Sequence, residues 1–235
     1  ERARYAILGL VALGALSAIY WQYERTRPCA EPITYSIASI DSRFGVSTST
    51  VEAEAAAAAQ IWNTAAGKTL LAYSLQGAIA LSLVYDSRQS SAQAGAEIAR
   101  EQDALDSERS QIDAERPSVT RENEASFNAQ VASYNQQVAS LNAQIKTYDQ
   151  QAGGTFEEGE YVADSSGKSI DIYEFIGASQ LERVLAHEFG HAIGLGHNDD
   201  PASIMYAENE SGNLAPTADD LAALKSVCGS EIKGS

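Results

Sequence analysis

Three histidines and a glutamate packed into eleven residues constrain this chain more than any other feature. The stretch His187-Glu188-Phe189-Gly190-His191-Ala192-Ile193-Gly194-Leu195-Gly196-His197 reads H-E-x-x-H-x-x-G-x-x-H and uses all 3 histidines of the chain. Two histidines four residues apart share one face of a helix. Both imidazoles can therefore reach one zinc ion, whose tetrahedral shell takes nitrogen ligands at about 2.0–2.1 Å. Glu188 follows the first histidine, beside such a metal rather than on it. That position suits a carboxylate that takes a proton from a water activated by the metal. Gly194 lets the helix stop, because glycine tolerates the left-handed conformation common just past a helix end. The chain can then turn back and bring in His197 as third ligand. Three protein ligands leave one position open, which marks a catalytic rather than a structural site.

This segment resembles the signature of the metzincin zinc endopeptidases and, within that clan, of the matrixins. Metzincins carry a methionine in a tight turn below the metal. The single methionine here, Met205, lies in Ser203-Ile204-Met205-Tyr206, downstream of His197. The Met-Tyr pair resembles the matrixin form of this Met-turn. Astacins and serralysins place a zinc-binding tyrosine two positions after the methionine, where this chain has Ala207; Tyr206 reads as a packing residue. Leu214-Ala215-Pro216-Thr217-Ala218-Asp219-Asp220-Leu221-Ala222-Ala223-Leu224 is similar to the last helix of matrixin domains. One departure leaves the subfamily open: matrixins usually have serine directly after the third histidine, and here Asn198 stands there.

The resemblance implies an α+β fold with a mixed, twisted sheet, an active-site helix and a C-terminal helix. It implies zinc-dependent cleavage of peptide bonds, with His187, His191 and His197 holding one catalytic zinc, Glu188 as general base and Met205 as an apolar floor. The partner would be a protein or peptide adding itself as a strand to a sheet edge, for which residues 160–162 are the candidate. Many family members also carry calcium or a second zinc. No histidine remains for a second zinc; carboxylates could hold calcium, although no loop argues for it.

The remaining chain sets the context. Formal net charge is −16, from 32 acidic and 16 basic residues. Without a lysine/arginine cluster, nucleic-acid binding is not expected. Residues 1–27 contain an apolar run, Ala6 to Ile19, flanked by Arg2, Arg4, Arg25 and Arg27, with Tyr20, Trp21 and Tyr23 where an interfacial aromatic belt would lie. A retained transmembrane signal anchor and a cleaved signal peptide both fit this segment. The enzyme would then be exported, either membrane-anchored outside the cytoplasm or secreted if residues 1–20 are removed. Cys29 and Cys228 are the 2 cysteines and bracket the enzyme, so they are a disulfide candidate; two unpaired buried thiols are the other reading.

Residues 28–86 and 155–235 read as two parts of one catalytic domain. A first strand falls at 32–37. Ser49 to Glu52 reads as a capping box opening a helix through Val51, Ala55, Ala58, Trp62 and Ala65, closed by Gly67. A buried strand follows at 79–85. Residues 159–162 and 169–175 form a hairpin about Asp164-Ser165-Ser166-Gly167. Ser179 to Glu182 reads as a second capping box, opening the helix of His187. Between the two parts, residues 87–154 are a polar insertion without a sheet pattern. Phe127, Val131, Tyr134, Val138, Leu141, Ile145 and Tyr148 recur in heptads, Ile98, Leu105 and Ile112 at sevens, and Pro117-Ser118 separates the two runs. This predicts an antiparallel helical hairpin or short coiled coil with Gly153-Gly154 as hinge. Its role is either an arm over 87–151 for self-association or docking, or simple self-packing. A second function class follows from it: an exported scaffold acting through the arm on a protease-like fold.

Overall fold

The computed structural model describes residues 28–151, 157–208, 212–229 and 232. Among the described residues the chain divides into two compact units, one of residues 28–84, 158–172, 177–208, 212–229 and 232, the other of 85–151, 157 and 173–176. The signal or membrane segment expected at 1–27 and the hinge at Gly153-Gly154 lie outside the described residues. Among the described residues no helix is long and apolar enough to cross a membrane.

The first unit is built on a mixed sheet. Its strands are β1 (Ile33–Ile40), β2 (Leu71–Tyr73), β3 (Ile79–Leu83), β4 (Gly159–Asp164) and β5 (Gly167–Ile172). Among the described residues their order is β2-β1-β3-β5-β4. β1 is parallel to β2 and β3, β3 is parallel to β5, and only β4 runs antiparallel, at the edge. The period-two pattern is visible in burial: Ile79, Leu81, Leu83, Ile170 and Ile172 face the core. Helix α1 (Thr48–Ala66) buries Val51, Ala55, Ala58, Ala59, Trp62 and Ala66. Its alanines let it pack closely on the helix that carries His187, and the buried Trp62 indole donates to the Ala186 carbonyl at 2.7 Å.

Some boundaries differ from expectation. α1 opens earlier than the expected capping box, because the Ser47 hydroxyl accepts from the Thr50 N–H at 3.1 Å. β2 was not expected. Three residues carry too little pattern, and the Asn63 side chain holds this segment by accepting from Leu70 and Leu71 N–H at 2.6 and 2.9 Å. The chain then crosses β1 to reach β3, and Gly77 lies so close to the Tyr35 backbone that no Cβ fits. Cys29 and Cys228 form a disulfide. Closing a loop of 199 residues contributes roughly 5 kcal/mol in the chain-entropy picture.

The second unit is a helical hairpin of α2 (Ser87–Glu115) and α3 (Glu124–Gln151), separated by a 3-10 turn at Arg116–Ser118. Leu105, Ile112 and Leu141 are buried in its seam. Glu101 and Glu108 fall in the same seam of α2, where Gln144 and Gln137 donate to them at 3.1 and 3.2 Å. At its base Gln89 brackets Phe175, accepting from its N–H at 2.8 Å and donating to its carbonyl at 3.0 Å.

Candidate metal centre

Helix α4 (Ala178–Ile193) carries His187, Glu188 and His191. Its start is not the expected capping box. Gly177, at φ 84°, precedes it with no side-chain cap, so Ser179 lies inside the first turn. Its end is as expected: Gly194 adopts φ 111°, and its N–H closes on the Gly190 and His191 carbonyls. Leu195 folds back, its N–H bonding Gly190 at 2.9 Å. The Leu195 carbonyl then accepts from His191 Nδ1 at 2.9 Å. The turn that stops the helix thus also orients a ligand. His187 Nδ1 donates to the Ile204 carbonyl at 2.7 Å.

These two bonds fix the chemistry of the donor set. A carbonyl only accepts, so both Nδ1 atoms carry the proton and both Nε2 atoms present lone pairs. The three Nε2 atoms of His187, His191 and His197 form a triangle with edges of 3.1, 3.1 and 3.2 Å. A tetrahedral zinc with nitrogen at about 2.0–2.1 Å sets its ligands about 3.3 Å apart. Converging lone pairs at this spacing repel unless a cation stands between them, so the residues fit zinc. Burial, with smaller contributions from His191, His197 and Arg183 and against the pull of the Ile204 bond, holds His187 down at about 4. It is neutral at ordinary pH, as a ligand must be.

Glu188 is 3% exposed and lies beneath the start of β4. A Cβ on Gly159 would stand 2.9 Å from its Oε1 and 3.0 Å from Val184 Cγ1. The bare backbone of the edge strand is what makes room for this carboxylate. Met205 is fully buried against Gly190, where a Cβ would collide with its sulfur.

The backbone N–H and C=O groups of Ser203, Ile204 and Met205 in the Met-turn are all hydrogen-bonded. Ser203 N–H donates to Asp200 O at 2.9 Å, and Ser203 O accepts from Arg183 Nη2 at 2.6 Å. Ile204 N–H donates to Asp220 Oδ2 at 3.0 Å, while its carbonyl takes the His187 proton. Met205 N–H meets Ser203 Oγ at 2.8 Å, and its carbonyl accepts from Asn198 N–H at 3.0 Å. Asp220 sits in the first turn of α5 (Ala218–Cys228), whose capping box it shares with Thr217. Burial pushes the Asp220 carboxyl up, but the bonds from Ser203, Thr217, Ile204 and Met205 outweigh it and hold the group below the usual carboxylate range. Burial lowers Arg183 from the usual guanidinium range, against the opposing pull of Asp220 and Glu158.

A matrixin family model matches residues 25–229. The chain belongs to the matrixin family. Over 49 residues it is 41% identical to neutrophil collagenase of Homo sapiens, covering 20% of this chain and 10% of that protein. Over 81 residues it is 30% identical to matrilysin of Rattus norvegicus, covering 33% of this chain and 27% of that protein. The chain thus spans well under two thirds of the length of these curated relatives. Matrixins are zinc metalloendopeptidases, and the histidine triad of this matrixin fits the catalytic zinc its family uses.

The structure brings His187, His191 and His197 together, sets Glu188 on one helix with His187 and His191, lays Met205 under α4 and joins Cys29 to Cys228. Sequence reasoning missed Gly159, Gly190, Arg183 and Ser203. Asp220 had a local signal in its box with Thr217; the others depend on tertiary neighbours that no spacing rule exposes.

Proposed function

We propose that this matrixin is an exported zinc-dependent endopeptidase. The observation that carries the reading is the Nε2 triangle, with two of its tautomers fixed by carbonyls, beside a buried glutamate under an edge strand. Bound zinc supplies a Lewis acid that polarises a carbonyl and makes water acidic. His187, His191 and His197 hold the ion. Glu188 takes the proton of the attacking water and returns one to the leaving amine. β4 is hydrogen-bonded on one side, to β5, and its other edge faces a cleft-bound peptide, which adds as a strand. Met205 does no proton chemistry and closes the floor.

The disulfide accords with an oxidising compartment outside the cytoplasm. A retained or cleaved segment at 1–27 would place the enzyme on a membrane or free of it. The arm, read as a coiled coil, would dock a partner or a second copy. The scaffold alternative leaves the triad and the carbonyls that orient it without a role, and no observation favours it.

The test uses the full chain, prepared under oxidising conditions. Zinc content and cleavage of a mixed peptide library are measured with and without a chelator, beside Glu188→Ala. One zinc per chain and chelator-sensitive cleavage are expected, with Glu188→Ala keeping the zinc and losing cleavage. Cleavage retained by a zinc-loaded Glu188→Ala chain would sink the assignment.

A further inference from the structure

The three ligands are not held alike. His187 and His191 sit on α4, each with its Nδ1 tied to a carbonyl. His197 lies outside the helix and is exposed, reached through Gly194-Leu195-Gly196. Two glycines in three residues give this approach a large conformational entropy to lose. A ligand at the end of such a segment must be fixed from its far side to be held in place.

Asn198 is on that far side. Its N–H donates to the Met205 carbonyl at 3.0 Å, and it bridges to Tyr206 across the Met-turn. Its Nδ2 donates to Ser203 Oγ at 2.7 Å and to Asp220 Oδ1 at 3.3 Å. Its Oδ1 accepts from the Asp200 N–H at 3.1 Å. The Asp200 bond fixes the amide orientation, because an N–H requires the oxygen there. One side chain thus spends two donors and one acceptor on three different elements. A serine, the residue usual here in the family, has one donor and cannot serve all three.

Resting on the zinc reading above, we infer that Asn198 is a positioning residue for the third metal ligand, with Asp220 as its buried anchor. The amide transfers the rigidity of the Met-turn and α5 to His197, replacing the kind of Nδ1 bond that steadies the two helical histidines. The same carboxylate that orders the turn under His187 therefore also sets the place of His197. Two of the three ligands are thus referred to one buried group, while His191 is steadied by the turn that ends α4.

The test compares the parent chain with Asn198→Ala and Asn198→Ser. Zinc affinity is measured by chelator competition, the visible spectrum after cobalt substitution, kcat and KM separately, and stability by urea unfolding. Loss of a group that orients a metal ligand typically costs 10–100-fold in metal affinity. Asn198→Ala is expected to weaken zinc by about tenfold or more, alter the cobalt bands and lower kcat with KM little changed. Asn198→Ser is expected to recover part of each, since one donor can still reach Ser203 or Asp220. Should Asn198→Ala fail to fold, the serine variant carries the same readouts at smaller amplitude. A purely structural role would lower urea stability and leave the cobalt bands of the folded chain unmoved; that result overturns the inference. So does zinc affinity within twofold of the parent in a chain that cleaves normally, which leaves the protease reading intact. A parent that takes up no zinc overturns both.

Discussion

Two glycines inside helices show how differently the two units are specified. Gly190 in α4 is pressed between Met205 and Trp62: a Cβ there would collide with the methionine sulfur and come within 3.2 Å of the indole. Gly95 in α2 meets only the tip of Tyr148, whose hydroxyl would stand 2.9 Å from a new Cβ. The first neighbour is fully buried and cannot retreat; the second is the far end of a half-buried side chain. The catalytic unit is determined by close contacts between residues far apart in sequence. The arm is determined by a repeat in which each position resembles the next.

The largest expected effect breaks a close contact in the catalytic unit. Gly190→Ala should destabilise it by about 3 kcal/mol or more, since overpacking a tight interior forces backbone or rotamer shifts. Urea unfolding reads the loss, and zinc content should fall with it as the floor under the ligands moves. Little change would mean that Met205 can swing aside, and the contrast with Gly95 would collapse.

A comparable effect comes from proton binding. His187 titrates near 4 in the metal-free fold, against 6.5 for an ordinary histidine. Between those values the unfolded chain binds the proton and the folded chain refuses it, so stability falls as pH falls. It is fully present above about 6.5, and up to about 3 kcal/mol is lost on approaching 4. Thermal melts of the metal-free chain across this range should show the decline. The arm contributes no histidine, so His187→Ala should remove most of the slope over the upper part of the range.

Next in size is Leu105→Ala, in the arm's seam. Leu105 is 5% exposed, and truncating a buried leucine costs about 2–5 kcal/mol; the lower end is expected where a thin, two-helix seam can close up. Hydrogen exchange should show α2 and α3 amides losing protection while α4 amides keep theirs and zinc content stays constant. Loosening of α4 as well would show that the two units unfold together.

These contrasts explain what was legible in the sequence. The metal ligands were legible because metal geometry demands a fixed spacing on one helix, and the glycine that ends the helix is demanded by its positive φ. The arm was legible because seam residues repeat: Phe127, Val131, Tyr134, Val138, Ile145 and Tyr148 are half-buried and Leu141 buried, while their neighbours in α3 are almost all exposed. What escaped was fixed by single tertiary bonds. Arg183 finds its acceptor on Ser203, 20 residues on. Asp220 reads locally as a helix cap and acts globally as the anchor of the Met-turn. β2 pairs with β1 and is tied at its start to α1 by one asparagine. The starts of α1 and α4 were misplaced because several capping residues compete within a few positions, and tertiary context chose Ser47 and Gly177.

The smallest effect has the opposite sign and sharpens the comparison most. Glycine in a helix interior is about 1 kcal/mol less favourable than alanine. At Gly95 that gain is opposed only by a displacement of Tyr148, whose ring carbon Cζ would lie 3.3 Å away. Tyr148 lies near the end of α3, and its hydroxyl is the far tip of a half-buried side chain. Gly95→Ala should therefore leave the chain unchanged or raise the arm's stability by up to about 1 kcal/mol, read as stronger exchange protection in α2. A loss greater than about 1 kcal/mol would mean that Tyr148 is locked in place. The arm would then hold a specific contact of the kind found under the metal, and its repeat would not be the whole of its specification.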